Sequence, residues 1–187
     1  MNININECLR YLGCKEQDKT TVSLINRCIE EINKNAQPKF TYKIVPMKVA
    51  KKSVLIKNSD ICFNSKNLAN LLSGCEKCVF LAVTLGVWAD KMIAYYQKTD
   101  MSYAVVFNAC ASEATESICN TAEQQLKTKG YVLTPRFSPG YGDLSIIHQK
   151  DFLNVCDAYK NIGLTCTDRM LLTPTKSVTA IMGIKKC

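Results

Sequence analysis

One unbroken apolar run, Cys78 to Thr84 (CVFLAVT), constrains this chain more than any other segment. Side chains on a strand alternate between faces, so a strand apolar at every position is buried on both. The run therefore predicts a central strand with cover above and below. The elements around it predict what supplies that cover. Ile5 to Leu12, ending at Gly13, and about Thr20 to Asn35, with Val22, Ile25, Cys28, Ile29 and Ile32 at helical spacing, read as helices. Phe40 to Val49, Ser53 to Ile56 and Ile61 to Phe63 are short, β-branched and interleaved with lysine, in the manner of antiparallel strands with an exposed face.

Ser65 caps a short helix through Leu68, Leu71 and Leu72 that Gly74 closes. After the apolar run, Gly86 turns into a helix from Val87, and Asp100 to Lys129 forms a long helix ended by Gly130. Tyr131 to Leu133 reads as a brief strand and Ser145 to Ile162 as one helix, carrying Phe152, Val155 and Tyr159 up to Gly163. Leu164 to Cys166 and Met170 to Leu172 pattern as a hairpin, and Ser177 to Ile184 (SVTAIMGI) as a final strand. With no regular βα alternation, these elements predict an α+β fold with a mixed, mostly antiparallel sheet and flanking helices. The 187 residues suit a single domain, 1–37 as a helical N-terminal segment and 38–187 as the α+β core.

Composition narrows the function classes. No apolar stretch reaches the roughly 20 residues of a membrane span, and Met1 to Cys14 is too polar for a signal peptide, so the expectation is a cytoplasmic protein without a membrane partner. Eleven cysteines, odd in number and scattered through helices and strands, fit a reducing compartment better than a disulfide framework. The pair in GCEKC, Cys75 and Cys78, lacks a second CxxC; a zinc site there needs Cys62 and His148 folded beside it, and otherwise the pair is incidental. His148 alone reads as a surface or helix-start residue. An excess of 24 Lys and Arg over 16 Asp and Glu gives a formal charge of +8, with Lys39, Lys43, Lys48, Lys51, Lys52, Lys57 and Lys66 close in sequence. Without an arginine cluster or a nucleic-acid motif, this reads as a solvated strand surface, and nucleic acid is not an expected partner.

The chemistry concentrates between Thr134 and Asp143, TPRFSPGYGD. Two prolines fix φ and remove donors, two glycines permit φ > 0 or close approach, Arg136 offers a planar fork for a carboxylate or phosphate, and Tyr141 offers a ring and a hydroxyl. Two readings stand at this level: a ligand loop, or a structural turn whose arginine pairs with a neighbouring acid.

The loop RFSPGYGD, the helix segment NACASEATESIC before it and the tail IGLTCTDRMLLTPTKSVTAIMGI together resemble the activation domain of cobalamin-dependent methionine synthase. LAVTLGVWADKMI extends the resemblance upstream, and RYLGCK is similar to the opening of short, stand-alone relatives. The resemblance implies an S-adenosylmethionine site in which Arg136 takes the ligand carboxylate, Ser138 offers backbone contacts, Gly140 and Tyr141 shape the wall, and Glu116 contacts the ligand, with Glu113 one turn away as its substitute. It implies no catalytic acid or base and no resident metal: cobalamin is carried by a partner, a corrinoid-binding methionine synthase or corrinoid methyltransferase module, with a flavodoxin-like protein as reductant. The chain is then an accessory component of that methyltransferase activity, without the corrinoid, folate and homocysteine modules of the complete enzyme. The family has an acidic ligand contact near the start of the domain and an aromatic one beyond the final strand, and the latter has no counterpart before Cys187. Two other classes remain: a binding module for another small anionic metabolite on the same fold, and a cysteine-based metal or thiol protein.

Overall fold

A computed structural model describes residues 1–14 and 18–185. The end of RYLGCK (Lys15) and Cys187 lie outside the described residues. In chain order the elements are α1 (Ile5–Leu12), α2 (Lys19–Asn35), β1 (Lys39–Val49), β2 (Val54–Ile56), β3 (Cys62–Phe63), α3 (Lys66–Leu71), β4 (Lys77–Thr84), α4 (Val87–Thr99) and α5 (Met101–Thr128). They continue with α6 (Gln149–Val155), α7 (Ala158–Ile162), β5 (Thr165–Cys166), β6 (Leu172–Thr173) and β7 (Ser177–Ile184). The caps follow local chemistry: the Asp18 carboxylate accepts from the Thr20 and Thr21 amides, Asp100 from Tyr103, and Ser65 from Leu68, while Gly13 leaves α1 in the left-handed conformation at φ 70°.

The apolar run becomes β4, the strand second from one edge of a five-stranded sheet ordered β3-β2-β1-β4-β7. Every pairing is antiparallel, with Leu81 opposite Tyr42 of β1 and Ala180 of β7. Its alternation divides the interior in two. Val79, Leu81 and Val83 pack with Ile25, Ile32, Phe107, Ala114 and Met182 under α1, α2 and α5, whereas Cys78, Phe80 and Ala82 pack with Phe63, Leu72, Phe152 and Ile181 under α3, α6 and α7. Phe80, fully buried and edge-on to Phe152 at 4.9 Å between centroids, anchors the second core. None of the described helices is long and apolar enough to cross a membrane.

Two expectations change in the folded chain. Tyr131 to Leu133 is not a strand of the sheet. Instead residues 132–137 run irregularly along β7, with Leu133 bridging Ile184, Phe137 exchanging backbone bonds with Ile181, and the Thr134 hydroxyl accepting from the Gly183 amide at 2.8 Å. Pro135 has no N–H to give a regular ladder, and at Thr134 the side-chain oxygen, not the backbone carbonyl, takes the Gly183 amide. The single helix expected over Ser145 to Ile162 is broken: a 3-10 turn at Ile146–His148 leads into α6, and Asp157 in the left-handed conformation at φ 49° separates α6 from α7. The Cys156 carbonyl left open at the break accepts from Asn161 Nδ2 at 3.1 Å and Thr41 Oγ1 at 3.4 Å. The strand lysines are exposed, as a solvated strand surface requires, with Lys39 and Lys43 on the α7 side and Lys48 on the other by strand parity.

Candidate functional site

The long helix α5 places Glu113, Glu116, Asn120 and Glu123 at i, i+3, i+7 and i+10, one continuous stripe over almost three turns. Arg136 reaches this stripe from the loop running beside β7. Its Nη2 donates to Glu116 Oε2 at 2.9 Å, and its Nη1 lies 2.7 Å from Glu123 Oε1 and 3.1 Å from Asn120 Oδ1. The guanidinium is thus held by two carboxylates and an amide. The hydrogen bonds run from Nη1 to Asn120 and from Nη2 to Glu116, and Glu123 meets Nη1 as an ion pair.

Opposite α5, α1 presents Glu7, Arg10 and Tyr11, again at helical spacing. Arg10 Nε meets Glu7 Oε2 at 2.7 Å and its guanidinium lies over the Tyr11 ring at 4.6 Å. The Asn4 amide donates to Glu113 Oε1 at 3.4 Å and joins the two walls. Between them is a cavity of about 500 Å³, lined by Glu7, Arg10 and Tyr11 on one side and by Glu113, Glu116, Asn120 and Arg136 on the other. That size falls in the range of small-ligand sites. Three carboxylates face two guanidiniums in the lining, and Glu123 beside it also pairs with Arg136, so carboxylates are in excess. Glu113 is only 6% exposed, and burial pushes its carboxyl above the ordinary range, with Glu7 and Glu116 adding to the rise.

The remainder of the loop is pinned elsewhere. Ser138 accepts from the Tyr141 amide, Tyr141 from Leu144, and Gly140 donates to the Leu144 carbonyl at 2.8 Å, closing a compact outer turn. Gly142, at φ 54°, lies so near α3 that an added Cβ would sit 2.5 Å from Asn67 Nδ2. Asp143 docks the turn on the start of α3: its carboxylate accepts from the Ser65 hydroxyl, from the Lys66 amide at 2.7 Å and from the Asn67 amide at 3.2 Å. These bonds, the Ser65 one foremost, hold its carboxyl below the usual range.

The fold therefore brings Arg136, Glu116 and Glu113 together in one cavity. Ser138, Gly140 and Tyr141 do not line it; they form the adjoining outer turn, where Tyr141 is 69% exposed. Arg136 also pairs with neighbouring acids, as the structural-turn reading has it. Sequence reasoning did not single out Glu7, Arg10, Tyr11, Asn120 and Glu123. Their signal was a polar stripe of helical period on each of two helices, visible once α1 and α5 are known to face each other.

The cysteines expected to matter lie apart from this cavity. Cys75 and Cys78 are buried in the second core, where desolvation pushes both thiols up, Cys78 to about 12, opposite to what a reactive thiolate needs. Cys62 is exposed, and His148 ends the turn before α6 with Nδ1 2.8 Å from Asp151 Oδ2. No group of three or more metal-ligating side chains gathers among the described residues.

A five-stranded antiparallel sheet with helices on both faces, and an ion-paired cavity where two helices meet an edge loop, defines the architecture. It matches the fold of a solved reactivation domain. The neighbour is a crystal structure of the MetH reactivation domain bound to AdoHcy: the TM-score is 0.69 over 94% of this chain and 72% of that one, at 13% sequence identity. No protein-family model and no curated protein matches the sequence.

Proposed function

We propose that this chain binds S-adenosylmethionine with the methionine end of the ligand at Arg136, and serves as a reactivation component for a corrinoid protein. The observation that carries the reading is the charge inventory of the cavity. S-adenosylmethionine presents one carboxylate, one ammonium and one sulfonium, a net single positive charge, and the cavity carries an excess of carboxylates with both signs represented. The Arg136 guanidinium, with donors beyond its two hydrogen bonds, suits the carboxylate, and Glu116 and Glu113 suit the ammonium and the sulfonium. The adenine end is assigned to the outer turn, where the Ser138 backbone and Gly140 give close approach and the exposed Tyr141 ring gives a stacking face.

The ligand neighbouring this fold elsewhere, AdoHcy, supports the same class of ligand. Its methyl-bearing counterpart supplies the methyl group for reductive methylation of cob(II)alamin carried by the partner, with the electron delivered by a flavodoxin-like reductant. This chain's part is to bind and orient the donor, which requires positioning groups and no acid or base. The alternative of another anionic metabolite is less well supported, because the carboxylates of the lining outnumber its guanidiniums and favour a ligand that also carries cationic groups.

Calorimetric titration of the protein with S-adenosylmethionine tests the reading. The expected result is saturable one-to-one binding that Arg136→Ala weakens at least thirtyfold, in line with a charged hydrogen-bond pair of about 2 kcal/mol or more. No detectable heat or competition with the folded wild type overturns it.

A further inference from the structure

Three thiols meet in the core where α1, α2 and α5 pack together. Cys8 of α1, Cys28 of α2 and Cys110 of α5 are fully buried and unbridged, and the Cys110 side chain is in hydrogen-bond contact with both of the others. Bonds on either side of Cys110 fix this meeting. One turn further along α5, Glu113 accepts from the Asn4 amide at the start of α1; two turns earlier, the Tyr103 hydroxyl donates to Glu31 of α2 at 2.9 Å. We propose that Cys8 and Cys110 form a reversible disulfide by exchange with a low-molecular-weight disulfide, and that this bond fixes α1 and its wall of the cavity against α5.

Exchange needs access, and the helices differ in how they give it. α1 has eight residues and buries only Cys8 and Leu9, so it opens at low cost. α2 has seventeen, with Ile25, Cys28 and Ile32 buried and Glu31 accepting from both Tyr96 and Tyr103. The exchange therefore starts at Cys8. Opening of α1 carries this thiol into solvent, where its thiolate attacks the small disulfide, forms a mixed disulfide and releases one thiolate, which takes up the Cys8 proton. As α1 redocks, the Cys110 sulfur attacks Cys8 Sγ and expels the second thiolate, which takes the Cys110 proton. Two protein thiols are oxidised and one small disulfide is reduced to two thiols; Cys28 is not consumed. Cys8 follows Glu7 and precedes Arg10 and Tyr11 by a few residues, so the bond holds all three in the cavity wall. The inference is independent of the ligand assigned to Arg136.

The test incubates the wild-type chain with glutathione disulfide, blocks the remaining thiols with iodoacetamide and maps linked peptides by mass spectrometry without reduction. The expected result is a peptide pair joining Cys8 to Cys110, lost on adding dithiothreitol, with hydrogen exchange of the α1 amides slowed roughly tenfold or more in the oxidised protein. Cys110→Ser should instead trap glutathione on Cys8, the mixed disulfide having no thiol to resolve it. Mapping of the wild type decides the matter by itself, whether or not that variant folds. The proposal is overturned if no link forms between Cys8 and Cys110, if Cys110 is found joined to Cys28 in its place, or if the link forms and exchange in α1 is unchanged.

Discussion

Replacing Glu116 by Gln separates the two ligand readings by the sign of its effect. Glu116 lines the cavity and pairs with Arg136 at 2.9 Å, and Gln keeps an oxygen to accept that bond while removing the charge. A ligand ammonium about 5 Å from the carboxylate gains roughly 3 kcal/mol at an effective dielectric of about 20. The Glu116 side chain is 34% exposed, so solvent and salt reduce this to about 1.5 kcal/mol, close to tenfold in Kd. Under the S-adenosylmethionine reading the substitution therefore weakens binding about tenfold. For an anionic metabolite it strengthens binding by a comparable factor, because Arg136 loses a competitor. Calorimetry with S-adenosylmethionine and with AdoHcy at one ionic strength reads the effect, and the loss should be larger for the sulfonium than for its uncharged counterpart. If wild type binds measurably and Glu116→Gln binds S-adenosylmethionine as well or better, the assignment of the carboxylates to the ligand cation is wrong.

Four further outcomes follow from the same geometry. Tyr141→Ala should weaken S-adenosylmethionine several-fold with no change in thermal midpoint, since the ring is 69% exposed; unchanged affinity would remove the outer turn from the site. Glu113 has its native carboxyl raised, so its contribution to stability is present below the ordinary carboxylate range and lost as pH rises through the native value; Glu113→Gln should raise the urea midpoint at pH 7, with the gap closing below about pH 4. Asp143 shows the opposite sign: its native carboxyl is depressed, so the advantage of wild type over Asp143→Asn should be present above the ordinary value and vanish as pH falls through the native one, read by urea unfolding across pH 2–6. Gly183→Ala would put a Cβ 2.7 Å from Cys75 Sγ and 3.0 Å from Leu72 Cδ2, and overpacking of this kind costs about 1–3 kcal/mol; adding Cys75→Ala should recover part of it, a non-additivity measurable in a double-mutant cycle.

The parts of the fold legible in the sequence are those fixed by local period. CVFLAVT announces a two-faced strand because alternation alone sorts Val79, Leu81 and Val83 from Cys78, Phe80 and Ala82, and the capping residues Asp18, Ser65 and Asp100 mark helix starts that need no tertiary information. What stayed hidden depends on partners distant in sequence. Ser145 to Ile162 keeps a helical pattern throughout, yet the chain breaks at Asp157, where the open Cys156 carbonyl finds Thr41 on β1, 115 residues earlier in the chain. Local propensity cannot report a bond whose acceptor is exposed only after the break forms.

The same distinction explains the site. Arg136 stood out because its loop is dense in proline and glycine, whereas Glu7, Arg10 and Tyr11 are ordinary surface residues of a short amphipathic helix until α1 docks on α5. The docking itself is apolar: Cys8 and Leu9 are buried on one side of α1, and helical geometry then turns residues 7, 10 and 11 toward the stripe of α5. Burial on one face thus dictates the chemistry of the other. Because Glu113 sits where the faces meet, bonded to the Asn4 amide and desolvated by the closure, displacing α1 would both rehydrate that carboxyl and open the cavity. Under the proposed function, ligand binding and the docking of α1 are coupled through one side chain, and hydrogen exchange in α1 should slow on S-adenosylmethionine binding in wild type but much less in Glu113→Ala. Equal slowing in both would show that the wall closes without that carboxylate.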